Sequence, residues 1–155
     1  MNKKQLMSNL NWFYSLELNQ VDLYLAQSKA FKNNYESIIF ERTAWVEQQH
    51  VENIGDKIKE FGQQPTKFGS IVSPLIGRIA GKIISLFGVE ATLKANILIE
   101  HKAMQDYTNL INSVKDEYGK ELEKVLKANL VDEDLHTAWF TERLSDYDNI
   151  NLRDL

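Results

Sequence analysis

The chain has no cysteine among its 155 residues. Disulfides, thiolate zinc sites, iron–sulfur clusters and a rubredoxin-type module are therefore excluded. Proline is almost as scarce: Pro65 and Pro74 are the only two, both near the middle, so nothing breaks a helix in either flank. Alternating β-branched residues are missing. No apolar run approaches the roughly 18 residues that a spanning helix needs. The opening MNKKQLMSNLNWFYS carries no apolar stretch of signal-peptide length. A basic surplus is missing too: the formal net charge of −4 gives no support to nucleic-acid binding. Together these absences are compatible with a reducing cytoplasm.

What remains is a helical pattern. At 43% hydrophobic and 26% charged residues, the composition is that of an ordinary folded domain with a full core, expected over residues 1–155. Apolar residues recur with a 3.6-residue period. The expected helices span about 5–32, 35–61, 88–117 and 120–147, with turns at Asn33-Asn34 and Gly119 and a stop at Gly62 ahead of Pro65. The fold class is all-α: a bundle of four helices in two antiparallel hairpins, joined by a long crossover over about 63–87. The tail beyond Asp148 is polar and expected to be loosely held.

The chain has three histidines, and two of them fall in Glu-x-x-His pairs: Glu47–His50 and Glu133–His136. Residues three apart share a helix face, so each pair can address one cavity. A lone glutamate precedes each pair, Glu17 before the first and Glu100 before the second. Position along the helices brings these residues to one level. Glu17 lies sixteen residues before Asn33, and Glu47 to His50 lie fourteen to seventeen after it. Glu100 lies nineteen before Gly119, and Glu133 to His136 lie fourteen to seventeen after it. At about 1.5 Å rise per residue, two hairpins place all six side chains near one plane. Taken singly, a helical glutamate is usually a solvated surface group and a helical histidine a hydrogen-bonded core residue. The sixfold pattern overrides both. Glu, Glu-x-x-His, Glu and Glu-x-x-His on four helices is the ligand set of a two-metal carboxylate centre. Carboxylates suit hard cations, and imidazole shifts the preference toward iron, with manganese also accepted. The third histidine, His101, points about 100° away from Glu100 and reads as a surface or helix-interface residue.

The two halves resemble a degenerate repeat. Tyr24 follows Glu17 by seven residues, and Tyr107 follows Glu100 by seven. Two helical turns separate each pair, so each tyrosine faces as its glutamate does and can orient a carboxylate or a bound water. A core tyrosine with a satisfied hydroxyl is the competing reading. Trp45 and Trp139 flank the Glu-x-x-His motifs, and core packing is the expected role for both.

Residues 67–88, KFGSIVSPLIGRIAGKIISLFG, differ in character. Ile71, Leu75, Ile79, Ile83 and Phe87 belong to a broad apolar face at helical spacing, with Arg78 and Lys82 off it and no acid present. Such a segment lies in a membrane interface or admits an apolar ligand; alternatively it packs on the bundle or on a second subunit.

These residues resemble the ferritin-like di-iron carboxylate superfamily, and within it most nearly the demethoxyubiquinone hydroxylase family of ubiquinone biosynthesis. The resemblance covers about residues 10–145. It rests on Glu17, Tyr24 and Gln27 in the first helix, Glu47 and His50 in the second, and Pro65-Thr66 followed by the apolar stretch. Glu100 and Tyr107 in the third helix and Glu133 and His136 in the fourth complete it. Asp106 stands where that family has a histidine, on the substrate side.

The resemblance implies a monooxygenase with two iron ions on Glu17, Glu47, His50, Glu100, Glu133 and His136. Glu47 and Glu133 would bridge the two ions, with Glu17 and Glu100 terminal. Tyr24, Tyr107, Asp106 and Gln27 would support the centre. The implied partners are molecular oxygen, a lipid-like quinone precursor entering past residues 71–87, and an outside electron donor, either NADH or a reductase. A homo-oligomer, peripheral on the inner face of a membrane, is expected. Two other classes stay open on the residues: a ferritin-like protein that oxidises iron or scavenges peroxide, and a metal-free helical binding module.

Overall fold

The computed structural model describes residues 1–67, 88–114 and 118–153, with side chains to Tyr147. Four helices and no strand make up the described residues: α1 (Lys3–Ala30), α2 (Glu36–Glu60), α3 (Gly88–Val114) and α4 (Lys120–Arg153). The apolar crossover, with Ile71, Leu75, Ile79, Ile83 and Phe87, lies outside the described residues. α1 packs along α2 and α3 along α4, giving the two expected hairpins, and α2 meets α4 between them.

The ends of the helices follow local chemistry. Asn2 caps α1: its side chain accepts from the Gln5 backbone N–H at 2.9 Å, and Gln5 Oε1 accepts from the Asn2 N–H at 3.0 Å. α2 closes on Gly62, whose φ of +82° is open to glycine. There the Gln63 N–H reaches the Ile58 carbonyl at 3.2 Å and the Gly62 N–H the Lys59 carbonyl at 2.8 Å, a Schellman closure. The polar tail beyond Asp148 is helical in backbone, α4 continuing to Arg153.

Helical spacing decides what each helix buries. On α2 the buried stripe runs Phe40, Ala44, Glu47, His50, Ile54, Ile58. Two polar residues therefore stand in the middle of an otherwise apolar face. The same interruption occurs on every helix, and it divides the core in two. One apolar cluster gathers Leu6, Leu10, Phe13, Ile54, Ile58, Leu110, Leu122 and Leu126. The other gathers Tyr24, Phe40, Ala44, Leu93 and Phe140. Between them lies a layer of buried carboxylates and imidazoles. Burial of Leu- and Ile-sized side chains, at about 1.5–3 kcal/mol each, holds that layer in place.

Candidate metal centre

All six expected ligands converge between the helices. Glu17, Glu47, His50, Glu100 and Glu133 are fully buried, and His136 is 10% exposed. They form two overlapping groups: Glu17, Glu47, His50 and Glu133, and then Glu47, Glu100, Glu133 and His136, with one ligand atom from each residue within 4.8 Å of the others. Glu47 and Glu133 belong to both.

The histidines present the same atom inward. His50 Nδ1 lies 3.1 Å from Glu47, 3.3 Å from Glu133 and 3.7 Å from Glu17. His136 Nδ1 lies 3.3 Å from Glu47 and 3.8 Å from Glu100. His50 Nε2 faces outward and meets Asp132 at 3.2 Å, which fixes the ring and makes it a stronger base.

The tyrosines do more than share a face with their glutamates. Tyr24 on α1 donates to Glu100 on α3, and Tyr107 on α3 donates to Glu17 on α1. Each hairpin thus supplies the hydroxyl that orients the other's lone carboxylate. Gln20 donates to Glu47 at 3.2 Å, and Asn129 donates to the Tyr107 hydroxyl at 3.0 Å.

Two expected supporting residues fall elsewhere. Asp106 sits at the surface edge of α3 and pairs with Lys102, one turn away on the same helix. Residue 106 precedes Tyr107, so it points about 100° off the buried face. Gln27 turns to Asn96, the two amides exchanging hydrogen bonds at 2.8 Å each way, and touches no carboxylate of the centre. Trp45, expected in the core, is 57% exposed, whereas Trp139 is partly buried against Phe140. His101 is exposed, as its angle from Glu100 requires.

Asp132, Gln20, Asn129 and Asn96 were not apparent from the motif. Three of them carried a signal: Gln20 follows Glu17 by three, Asn129 precedes Glu133 by four and Asn96 precedes Glu100 by four, so each shares a face with a ligand. Asp132 carried none, because it adjoins Glu133 and points off its face.

The electrostatics are those of a site short of positive charge. Burial pushes Glu17 up to about 8. Burial, with Glu47 and Glu100 nearby, lifts Glu133 well above the carboxylate range. Glu47 goes the other way: burial opposes its ionisation, but His136 and His50 outweigh that and hold it low. Burial likewise opposes protonation of His136, but Glu100 and Glu47 raise it to about 10. Glu17 Oε2, Glu100 Oε2, both Glu133 oxygens and His136 Nδ1 are buried without a hydrogen bond. Atoms so placed usually have a partner, protein, water or ion. Four carboxylates aimed inward match the charge of two divalent cations, and the orphaned oxygens stand where such ions would bind. The residues fit the group.

Between α2 and α4 a pocket of about 200 Å³ reaches His136 from the surface, lined in part by Trp45, Val46, Trp139 and Phe140.

No family model matches the sequence. No curated protein matches it. Among solved structures, the chain is similar to Mycobacterium tuberculosis bacterioferritin, BfrA, with a TM-score of 0.78 at 18% identity. The match covers 96% of this chain and 89% of that one. The chain has the ferritin-like four-helix bundle fold.

Proposed function

We propose that this protein is a di-iron, oxygen-dependent oxidoreductase. Its expected reaction is hydroxylation of an apolar ring, such as a quinone precursor. One observation carries the reading: six candidate ligands, five of them fully buried, in two overlapping groups with Glu47 and Glu133 common to both. Glu17 and His50 would hold one ion, Glu100 and His136 the other, and the two shared carboxylates would bridge them. Manganese suits the same donors. Once bound, iron in such a site supplies oxygen activation.

The chain's own residues do the rest. Tyr107 and Tyr24 hold Glu17 and Glu100 by one oxygen each, leaving the other oxygen free toward the centre. Asp132 accepts from His50 Nε2, which directs the Nδ1 lone pair inward. The two apolar clusters exclude water from either end of the polar layer. Electrons come from outside, from reduced nicotinamide or a reductase, because a chain without cysteine holds no iron–sulfur relay.

A second reading is oxidation of ferrous iron itself, and the likeness to a bacterioferritin favours it. Elemental analysis of protein from iron-supplemented cells tests the centre, beside the double variant Glu47→Ala/Glu133→Ala. About two irons per chain, lost in the variant, are expected from the ligand count. A metal-free wild type would sink both readings and leave a helical binding module. Oxygen uptake that scales with added ferrous iron, well beyond the bound complement, would favour iron oxidation over hydroxylation.

A further inference from the structure

The two halves of the centre are not equivalent. His50 is fully buried and backed by Asp132. Glu47 and Glu133 correspond in the repeat, so the residue matching Asp132 is Val46. Among the described residues, His136 meets carboxylates only through its inward Nδ1. Val46 lines the pocket that reaches His136 instead. One half of the centre is clamped, and the other opens to the surface through an aromatic-walled cleft.

The pocket is specific in size and chemistry. Its volume is about 200 Å³. Dry apolar cavities of about 150 Å³ take up benzene, so one ring with a small substituent fits. Trp139 and Phe140, packed edge to face at 75°, form an aromatic wall of the pocket. Trp45 also lines the pocket, and over half of its surface is left in water. Among the described lining residues the only charged one besides His136 is Arg42, which is exposed. Its guanidinium lies 5.5 Å over the Trp45 ring and has no carboxylate partner among the described residues. A guanidinium held in this way suits a planar carboxylate. Arg42 and His136 line the same pocket, so one substituted ring can meet both.

We propose that the pocket binds a single-ring aromatic carboxylate. The acid group sits at Arg42, the ring among Trp45, Trp139 and Phe140, and the far edge of the ring against His136. That this molecule is the substrate of the centre rests on the di-iron reading above.

Benzoate tests the pocket, titrated calorimetrically into the full chain with metal content measured on the same sample. One benzoate per chain is expected, with shifts of the Trp45 and Trp139 indole N–H resonances. Arg42→Gln should weaken benzoate about tenfold or more and leave uncharged benzyl alcohol unchanged. Val46→Phe should block both compounds while circular dichroism and the thermal midpoint stay as in the wild type. If Val46→Phe does not fold, the surface variant Arg42→Gln decides. Cyclohexanecarboxylate binding as tightly as benzoate, or benzoate binding indifferent to Arg42→Gln, overturns the proposal. A sample with two metals per chain that ignores benzoate overturns it and leaves the centre standing. A metal-free sample that binds benzoate overturns the centre and keeps the pocket, and one that does neither overturns both.

Discussion

Glu17 and His136 are both shifted toward their protonated forms, by different causes: burial for Glu17, neighbouring carboxylates for His136. Burial raises Glu17 from an ordinary 4.5 to about 8. Burial works against the His136 proton, but Glu100 and Glu47 prevail and raise it from 6.5 to about 10. Each group binds its proton more tightly folded than unfolded, so each stabilises the fold at low pH. That contribution fades as pH rises, for Glu17 between 4.5 and 8 and for His136 between 6.5 and 10. The metal-free protein should therefore melt at a lower temperature near about pH 9 than near about pH 6. Calorimetry in chelator checks this, and a midpoint that rises over that interval contradicts it. Metal uptake has the opposite slope, because each ion must displace those protons. Tyr24→Phe removes the donor on Glu100 and leaves a buried oxygen unmet. A loss of about 1–3 kcal/mol in urea titrations of metal-free protein is expected. At this scale the convergence of the six carboxylate and imidazole side chains was legible because their type and spacing are unusual together. Gln27 and Asp106 rest on the family resemblance and not on helix geometry: Gln27 lies ten residues, about 15 Å, along the helix from Glu17, and Asp106 about 100° around it from Tyr107.

Among the elements, the start of α2 is tied to the far part of α4. Glu36, almost wholly buried, accepts from Arg143 Nε at 2.6 Å and from the Tyr147 hydroxyl at 2.8 Å. Arg143 stacks between Tyr35 and Tyr147, at 5.5 and 5.3 Å from their ring centres. Burial opposes ionisation of Glu36, but its own backbone N–H, Tyr147 and Arg143 together outweigh that and keep the carboxyl below its ordinary range. Arg143→Ala leaves that carboxylate buried and poorly paired. It should cost about 2–3 kcal/mol, toward the low end for a buried pair because the arginine is partly exposed. Chemical denaturation measures it, and Glu36→Gln in the same background should recover part of the loss. The crossover carries a separate expectation from its sequence: Ile79→Asp with Ile83→Asp should reduce liposome binding and leave iron content intact. Equal liposome binding would remove the membrane doorway from the scheme. Helix number, the Gly62 stop and the Asn33-Asn34 turn could be read from punctuation and period. The run of α4 to Arg153 could not, because a polar end signals solvent exposure and says little about backbone.

For the whole molecule, metal and fold are linked. A ligand that binds only the native state, at a free concentration a hundred times its dissociation constant, adds about 2.7 kcal/mol. Iron or manganese should therefore raise the thermal midpoint by several degrees, and Glu47→Ala/Glu133→Ala should abolish that response. An equal rise in the double variant would mean the ions bind elsewhere.

The crossing of Tyr24 to Glu100 and of Tyr107 to Glu17 has a meaning beyond the centre it serves. A contact in which position i of one unit meets position j of another, while j meets i in return, is the mark of an isologous interface. That is the contact two identical subunits make across a dyad. This chain holds such a pairing within itself, between its two hairpins. An isolated helical hairpin of this type would have two carboxylates, one imidazole and a phenol with nothing to hold. Doubled, by a twin or by fusion, it closes on itself.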